Sequence, residues 1–460
     1  MTISDTIYAL STPYGKSGIA VIKISGPQSL KVLKSLKFKK NIIPRKAILG
    51  SIYKKYSSIM IDEIIVIYFP RNNSYTGQDI IELQVHGGIA IINSILDELS
   101  ALKYLRIANN GEFTRIALEN NKISLSKAES LIELINAETE YQRKIAVRNY
   151  SGDLDNKYLL WKDAIINLLA NVEAYIDFPD DLFSDNELLS LNQRIKQLEK
   201  EIKRNIFYFD RTNKLMNGVN LCITGMTNVG KSTLMNILSH SDVSIISDIA
   251  GTTRDVVKTK LEILGIPIIL HDTAGIRDTS DYIENIGIKK AKKSISDSDI
   301  LIIILEAGSK VNYDVLKEVQ QYIKNSTNIL VIVNKIDLIE QSNDLAHKLR
   351  LEFKKINFRF DDMILLSLRS TQYKTHILNF IKKIIKKMEP VCDTMLVVNV
   401  RHQEKLERCG DHLNNAVKNK MIELKAEELR YAAEELGAIL GNVNIEEVLD
   451  KVFSSFCIGK

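Results

Sequence analysis

The chain has 460 residues, of which 45% are hydrophobic, and because this is too long for one hydrophobic core we expect two or three domains. The formal net charge of +5 is compatible with contact to RNA but is far from that of a polycationic tail. The scattered cysteines Cys222, Cys392, Cys409 and Cys457 form no CxxC pair, which favours a reducing cytoplasm over a zinc site or disulfide framework. Without a cationic leader or a long apolar run, we expect neither secretion nor a membrane span.

The hydrophobic pattern changes three times along the chain. Residues 1–118 carry β-rich runs between Gly, Pro and Asn, which predicts an α+β domain. Residues 119–215 carry long amphipathic patterns typical of packed helices, and this pattern returns over 380–460 in segments too short to form a bundle alone. We therefore predict one discontinuous helical domain. The inserted stretch 216–379 alternates β and α, which predicts a mostly parallel sheet covered by helices.

The run Gly225–Ser232 matches the pattern GxxxxGK[ST], directly after an apolar strand pattern and directly before a helical one. Glycines let backbone N–H groups turn toward phosphate oxygens at a helix N-terminus. Lys231 adds a cation at the β and γ phosphates, and Ser232 offers a hydroxyl to Mg²⁺. The residues of this loop that we predict to hold a nucleotide are Asn228, Val229, Gly230, Lys231, Ser232 and Thr233.

Two further motifs, GTTRD at 251–255 and DTAG at 272–275, have tasks at the γ-phosphate. A threonine hydroxyl, for which Thr253 is the first candidate, completes the magnesium shell when its loop folds over the phosphate. Asp272 holds the water shell of the metal, and the Gly275 N–H meets the γ-phosphate.

The motif NKID at 334–337 follows an apolar strand pattern and predicts the base specificity. The Asp337 carboxylate can accept two hydrogen bonds from guanine, at N1 and at the exocyclic amine, which adenine cannot offer. Asn334 and Lys335 support the base. The four motifs in this order predict a Ras-like P-loop GTPase domain that uses magnesium.

The group that orients the attacking water differs from that of Ras-like GTPases, in which a glutamine follows DxxG. Here that position is Ile276, which cannot hydrogen-bond to water. Asn228 can help to hold a monovalent cation in place of an arginine finger. The residues alone leave several candidates for the orienting group, namely Arg277, Asp278, Asp281 and Glu284.

The full length of the chain resembles the MnmE (TrmE) family of tRNA-modification GTPases, which act with a flavoprotein partner on the wobble uridine. The segments that carry this resemblance are DTIYALSTPYGKSGIAVIKISGP, YTGQDIIELQVHGG, NNGEFTRIALENNKISLSKAES, IDFPDD, AGTTRD, RHQ and the terminal FCIGK. The implied fold class is multidomain α/β plus α, with an N-terminal α+β folate-binding-like domain, a central helical domain and an inserted Ras-like P-loop GTPase domain.

The resemblance also implies site residues. The N-terminal domain of the family dimerises and binds a one-carbon tetrahydrofolate, and the matching positions here are Lys23, Glu82, Lys122 and Lys460. The family commonly has arginine at position 23, so Lys23 keeps the charge but loses the planar fork that makes bidentate contacts. Cys457 either anchors the tail, which we favour, or assists one-carbon chemistry. His86 is interpreted as a hydrogen-bonding residue of a loop and not as a catalytic base.

For the GTPase domain the resemblance implies catalysis by Lys231, Asp272 and Glu284, with Glu284 activating the water. It implies potassium at Asn228, Ser247, Ile249 and Thr252, and magnesium at Ser232 and Thr253. The mechanism that the resemblance implies is that two such domains meet across their nucleotides when potassium is bound, which triggers hydrolysis. The loop Ser367-Leu368-Arg369, whose Ser367 supports the guanine, departs from the small middle residue usual in the family.

The interpretation is a cytoplasmic, homodimeric, potassium-dependent GTPase that supports the addition of an aminomethyl or carboxymethylaminomethyl group to C5 of the tRNA wobble uridine. We assign the FAD to a partner protein, because no GxGxxG follows a strand pattern. An alternative is a GTP-dependent RNA-binding switch in ribosome assembly, which tetrahydrofolate binding would distinguish. A third interpretation makes the N-terminal domain a folate aminomethyltransferase regulated by the GTPase domain. The sequence identifies neither the tRNAs nor the amine donor.

Overall fold

The structure is a computed structural model that describes residues 5–177, 185–239, 245–249, 258–272, 292–309, 313–339, 344–370, 374–388, 399–441 and 459. The chain divides into two compact units. The first comprises Met1–Ile135, Val147–Ile195 and Asp411–Lys460, and the second comprises Asn136–Ala146 and Lys196–Gly410. The division into three domains stays a prediction.

The first unit contains a six-stranded sheet in the order β3-β4-β5-β2-β1-β6. Its strands are β1 Thr6–Leu10, β2 Ile19–Ser25, β3 Ile48–Tyr53, β4 Met60–Phe69, β5 Ile80–His86 and β6 Leu105–Ile107. All neighbours are antiparallel except β1 and β6. The inward-facing residues of β2, Ala20, Ile22 and Ile24, are fully buried, as expected for alternation on a half-buried strand. The predicted β-rich character of this region is confirmed.

Among the described residues, the first unit also contains helices, some of which extend across its borders. They are Ser29–Ser35, Ile89–Ser100, Glu112–Glu119, Leu125–Ile135, Glu140–Tyr150, Asp153–Asp177, Asp185–Asn217, Val400–Lys418 and Ile422–Leu440, of which the fifth, seventh and eighth are shared with the second unit. Asp153–Asp177 packs along Ile422–Leu440 and buries residues at helical spacing, such as Trp161, Ile165 and Leu168. The predicted return of the helical pattern is therefore confirmed for these helices, while the helical pattern at 444–456 lies outside the described residues.

A buried lysine joins three helices of the first unit. The Lys425 ammonium donates hydrogen bonds to the carbonyl oxygen of Ala416 and, over 2.9 Å, to Oδ1 of Asn192. Ala416 lies in the last turn of its helix, where carbonyl groups have no partner within the helix. Burial lowers the pKa of Lys425, and the two hydrogen bonds keep its charge satisfied.

The second unit contains a seven-stranded sheet in the order β13-β12-β11-β7-β10-β9-β8. Its strands are β7 Val219–Gly225, β8 Ile245–Ile249, β9 Lys258–Ile263, β10 Ile266–Asp272, β11 Ile300–Glu306, β12 Asn328–Asn334 and β13 Asp362–Leu365. Five neighbouring strands run parallel, namely β10, β7, β11, β12 and β13. The strands β9 and β8 are antiparallel to their neighbours. β11 and β12 are buried on both faces, which explains their nearly continuous Ile, Leu and Val. The predicted mostly parallel sheet is confirmed.

Helices cover both faces of this sheet. They are Lys231–Ser239, a short stretch at 292–297, Tyr313–Tyr322, Leu345–Lys355 and Lys374–Met388. Lys374–Met388 buries Ile377, Ile381 and Ile384 in the same core as β7 and β10. The predicted border between residues 379 and 380 falls inside this helix, which as a whole packs on the sheet.

Residues 136–146, which we predicted as part of the helical domain, also contact the sheet of the second unit. The Tyr141 N–H donates to the Gly265 carbonyl over 3.0 Å in the turn between β9 and β10. Lys260 on β9 forms an ion pair with Glu138 at 2.6 Å, and the Gln142 amide donates to the Met216 carbonyl over 2.7 Å. We call residues 136–146 the strap.

Among the residues that the structure describes, no helix combines the length and the apolar character needed to cross a membrane.

Glu133 is a buried carboxyl group in the helix Leu125–Ile135. One of its carboxylate oxygens is fully buried. Burial, and then the nearby carboxylate of Glu129, raises the pKa of Glu133 to about 7. A carboxyl group with a higher pKa in the folded than in the unfolded chain favours folding while it is protonated. This contribution is present at low pH and is lost as pH rises toward about 7.

We expect Glu133→Gln, which keeps the shape of the protonated carboxyl group, to raise the free energy of unfolding by roughly 1–3 kcal/mol near pH 8. The gain should shrink toward zero near pH ~5, where the wild-type group is protonated in the fold. Thermal unfolding at the two pH values measures this, with the exposed Glu434→Gln as control. An equal effect of Glu133→Gln at both pH values would contradict the assignment.

Candidate functional site

The predicted phosphate-binding loop connects the end of β7 to the helix Lys231–Ser239 at the centre of the sheet. Gly225 has φ +151°, and a Cβ there would lie 2.4 Å from the carbonyl oxygen of Ile304 on β11. Gly230 has φ +107°, and a Cβ there would lie 2.5 Å from Nδ2 of Asn334. Only glycine fits at these two positions, because the backbone conformation is left-handed and the neighbours are too close.

The polar groups of the loop are exposed at the start of this helix. The Lys231 ammonium donates to the carbonyl oxygens of Gly225 and Met226, over 2.8 and 2.6 Å, and so lies against the loop. The side chains of Ser232 and Thr233 are exposed in the first helical turn. Asn228 is exposed and left-handed, with φ 61°. Backbone N–H groups and a cation at a helix N-terminus suit an anionic ligand such as phosphate.

Asn334 joins this loop to the predicted base-binding loop. It ends β12, and its side chain is only 4% exposed. Its Nδ2 donates to the Val229 carbonyl over 2.7 Å, and its Oδ1 accepts from the Leu368 N–H over 2.9 Å. Val229 itself is buried in the core beneath the loop. The first residue of NKID therefore holds two loops together through its own amide group.

Asp337 lies in the 3₁₀ turn Ile336–Leu338 and is 37% exposed. A hydrogen bond from the Ser367 side chain, the largest cause, lowers the pKa of Asp337, and the positive charges of Arg369 and Lys335 act in the same direction. The guanidinium of Arg369 lies 4.0 Å from the carboxylate. Asp337 is thus held as an ionised carboxylate that can accept hydrogen bonds from a base.

Lys335 has a partner that sequence reasoning missed. It adopts a left-handed conformation with φ 65°, and its ammonium lies 2.9 Å from Oε1 of Glu306. Glu306 ends β11 directly beside Asn334 at the end of β12. The apolar run 300–305 indicates a strand that ends near Glu306. Its pairing with Lys335 could be predicted only if the order of the strands in the sheet were known.

The departure at Leu368 has a structural explanation. The Leu368 side chain is 7% exposed and belongs to the core beneath the phosphate-binding loop. Its Cδ1 would lie 3.1 Å from a Cβ at Gly230. The contact to Asn334 uses the backbone N–H of Leu368, so the larger side chain is accommodated while the hydrogen bond is kept.

The predicted metal-binding residues are described only in part. Asp272 ends β10 beside Ile223 of β7, which places it next to the phosphate-binding loop. Ser247 and Ile249 lie on β8 opposite residues of β9. For these three residues the backbone alone is described. Further predicted residues, Thr252, Thr253, Gly275 and Glu284, lie outside the described residues, as do Ile276, Arg277, Asp278 and Asp281.

The donor set fits magnesium held jointly with phosphates. Ser232 has an exposed hydroxyl, and the backbone of Asp272 lies at the end of the neighbouring strand. Hydroxyl and carboxylate oxygens are the ligands that Mg²⁺ prefers. In the described part of the chain, no group of three or more His, Cys, Asp or Glu side chains is placed to hold a metal ion. Magnesium in P-loop proteins is bound by one or two protein groups and by the substrate phosphates.

The residues predicted to bind tetrahydrofolate lie on the first unit. Lys23 and Glu82 face each other across β2 and β5, with their charged atoms 4.0 Å apart and their side chains 31% and 22% exposed. The Lys122 ammonium donates to the Asn72 carbonyl over 3.0 Å. Lys460 lies outside the described residues, but the preceding Gly459 accepts a hydrogen bond of 2.9 Å from Ser11, just after β1.

Other residues singled out in the sequence have structural roles. The His86 ring is hydrogen-bonded through Nδ1 to the buried Asp62 over 2.8 Å and is 68% exposed. Asp62 also accepts from the His86 backbone N–H, so this pair orders the end of β5. Cys222 and Cys409 are buried thiols outside any disulfide in the described residues, and burial raises the pKa of Cys222 to about 12. Cys457 lies outside the described residues.

Comparisons with known proteins cover the whole chain. The family model described as GTP-binding protein TrmE N-terminus matches residues 6–122, and the one described as MnmE helical domain matches residues 125–457. Among solved structures, Era of Aquifex aeolicus bound to GDP and AlF4⁻ is 25% identical, with a TM-score of 0.30 over 44% of this chain and 69% of that one.

Curated relatives are similar along their full length. The tRNA modification GTPase MnmE of Wolbachia pipientis subsp. Culex pipiens is 40% identical over 99% of each chain. The protein of the same name from Wolbachia sp. subsp. Drosophila simulans is 41% identical over 99% of each chain, and that of Rickettsia akari is 39% identical over 99% of this chain and 100% of that one. The resemblance seen in the sequence is thereby confirmed, and the chain belongs to the MnmE family of tRNA modification GTPases.

Proposed function

We propose that this chain is the potassium-dependent, GTP-hydrolysing component of a complex that modifies C5 of the tRNA wobble uridine. As a member of its family the chain is a GTPase of tRNA modification, and the finer statements are the proposal. The observation that carries it is the Asn334 amide, which links the phosphate-binding loop at Val229 to the base-binding loop at Leu368. A site that holds these two loops in register suits one purine nucleoside triphosphate.

In the proposed GTP complex, Asp337 accepts hydrogen bonds from N1 and the exocyclic amine of guanine, and Ser367 keeps its carboxylate oriented. Lys231 leaves its loop carbonyls for the phosphates, which is an exchange of weak partners for stronger anionic ones. Ser232, Thr253 and Asp272 would hold magnesium directly or through water. Bound there, the metal neutralises charge that develops on the β and γ oxygens.

For hydrolysis we propose that a potassium ion at Asn228 replaces the arginine finger and that Glu284 orients the water. The exposed, left-handed Asn228 supports the first part, because its side chain is accessible at the phosphate-binding loop. Ser247, Ile249 and Thr252 would complete the cation site. Ile276 supports the second part, since this side chain cannot orient water. Two GTPase domains of a homodimer would meet across their nucleotides, and the monovalent cation would order both loops.

The one-carbon unit would come from a tetrahydrofolate on the first unit, bound by Lys23, Glu82, Lys122 and Lys460. The facing charges of Lys23 and Glu82 and the position of Gly459 beside β1, which pairs with β2, support this location. FAD would be supplied by a partner protein, giving a heterotetramer with the homodimer in the cytoplasm. A folate-binding-like fold of this unit is part of the same proposal.

The base specificity is tested by Asp337→Asn, which exchanges one carboxylate oxygen for an NH₂ donor. Guanine presents two donors to this residue, so we expect the affinity for GTP to fall by about 100-fold. Xanthosine triphosphate carries an oxygen in place of the amine and should bind the variant better than it binds the wild type. Competition between the two nucleotides measures this. Arg369→Ala, at the neighbouring exposed position, is the control and should keep the preference for GTP.

The cation mechanism is tested by steady-state GTP hydrolysis in potassium and in sodium at equal ionic strength. We expect potassium to raise the rate severalfold, and Glu284→Ala to remove this gain while the nucleotide still binds, because no other group then orients the water. Asp281→Ala, a neighbouring acidic residue, is the matched control and should keep the gain. Equal wild-type rates in the two salts would show that the potassium assignment is wrong.

Folate binding is tested by equilibrium dialysis of the full chain with a one-carbon tetrahydrofolate. We expect Lys23→Ala and Lys122→Ala each to weaken binding by about 10-fold through loss of a charged contact, and Lys23→Arg to retain or strengthen it. Lys46→Ala, an exposed lysine of the same unit, should have no effect. A wild-type chain that binds no folate would instead favour the RNA-binding switch of ribosome assembly, which needs no one-carbon donor.

A further inference from the structure

One helix of the second unit carries a concentrated positive charge that the proposed function does not use. Lys374–Met388 contains five lysines and neither Asp nor Glu, although the whole chain has a net charge of only +5. Lys382, Lys383, Lys386 and Lys387 line one open groove together with Asn379. We call these four lysines the lysine face.

The packing of the helix fixes the direction of the lysine face. Ile377, Ile381 and Ile384 are buried against the sheet, so the opposite side of the helix points to solvent. Lys382 and Lys386 lie four residues apart, as do Lys383 and Lys387, which corresponds to about 6 Å along the helix axis. The result is two short parallel rows of ammonium groups.

Helix stability does not account for this arrangement. Like charges four residues apart destabilise a helix, and other helices of this chain place an acidic partner there, as in Arg115–Glu119 at 3.1 Å and Lys203–Glu199 at 2.6 Å. Within the part of the chain that the structure describes, no ion pair involves the lysine face. The helix dipole favours cations in the last turn, which explains Lys386 and Lys387 but not Lys382 and Lys383.

We propose that the lysine face binds the phosphate backbone of the tRNA. Lysine is a flexible point charge, suited to phosphate contacts that position an RNA without reading its bases. An acidic protein is the less favoured partner, because protein interfaces are depleted in lysine whereas nucleic-acid interfaces are strongly positive. The proposal rests on the proposed function, since it takes the tRNA as the polyanion that this chain meets.

The test compares the full-length variant Lys382→Gln/Lys386→Gln with the matched control Lys348→Gln/Lys355→Gln. The control removes the same charge from exposed positions of the helix Leu345–Lys355. Binding of unmodified tRNA is measured over about 50 to 200 mM salt, together with GTP hydrolysis in the absence of tRNA. None of the four lysines lies in the nucleotide site, so hydrolysis should equal that of the wild type in both variants and reports correct folding.

We expect the lysine-face variant to bind tRNA about 3- to 10-fold more weakly at low salt and the slope of log affinity against log salt to fall by about 1 to 2, as lost phosphate contacts require. The control should keep the wild-type slope. Equal binding by both variants and the wild type would overturn the proposal that the lysine face binds tRNA, but would not affect the proposed function. Equal loss in both variants would overturn it in favour of general charge attraction. A wild-type chain without tRNA binding would also overturn the tRNA contact in the proposed function.

Discussion

The buried amide of Asn334 is the interaction on which the geometry of the nucleotide site depends. A buried side-chain amide without partners costs about 1–3 kcal/mol, so the fold that buries it must bring its partners to it. Those partners are the Val229 carbonyl and the Leu368 N–H, from loops that are 105 and 34 residues away. We call Asn334 with these two hydrogen bonds the clamp. Because both partners are backbone groups, the clamp places few demands on the side chains of the two loops.

This dependence on backbone groups explains which changes the site accepts. Position 368 accommodates leucine because its side chain enters the core, where Val229 also packs, while its N–H still reaches Asn334. Gly230 has no such freedom. A Cβ there would lie 2.5 Å from the amide nitrogen of Asn334 and would displace the clamp itself. The positions that tolerate substitution least are therefore Asn334 itself and Gly230, whose backbone lies against the Asn334 side chain.

The parallel order of the sheet explains why short motifs predicted so much of this site. Each of three motifs begins where a parallel strand ends, namely at Gly225, Asp272 and Asn334, and carboxyl ends of parallel strands share one edge of a sheet. Apolar runs followed by these motifs thus indicated both the strands and their common edge. The ion pair of Lys335 with Glu306 escaped prediction, because it depends on β11 lying beside β12.

Borders between units were harder to predict, for a physical reason. The pattern of Lys374–Met388 shows one apolar face at helical spacing, and such a face can pack equally on a sheet or in a helical bundle. The strap was missed for a second reason. It is held partly by backbone groups, as in the hydrogen bond from Tyr141 to Gly265, and these leave no trace in the side-chain pattern.

The strap also shows how the edge of the sheet is secured. β9 lies between β10 and β8, and β8 is the last strand of the sheet in the described order. Lys260 of β9 faces Ser247 of β8 in the ladder, and its ammonium lies 2.6 Å from Glu138 of the strap. One residue therefore contacts both the strap and the strand that carries two proposed potassium ligands. β9 therefore connects the strap, through the ion pair of Lys260, to the neighbouring strand β8.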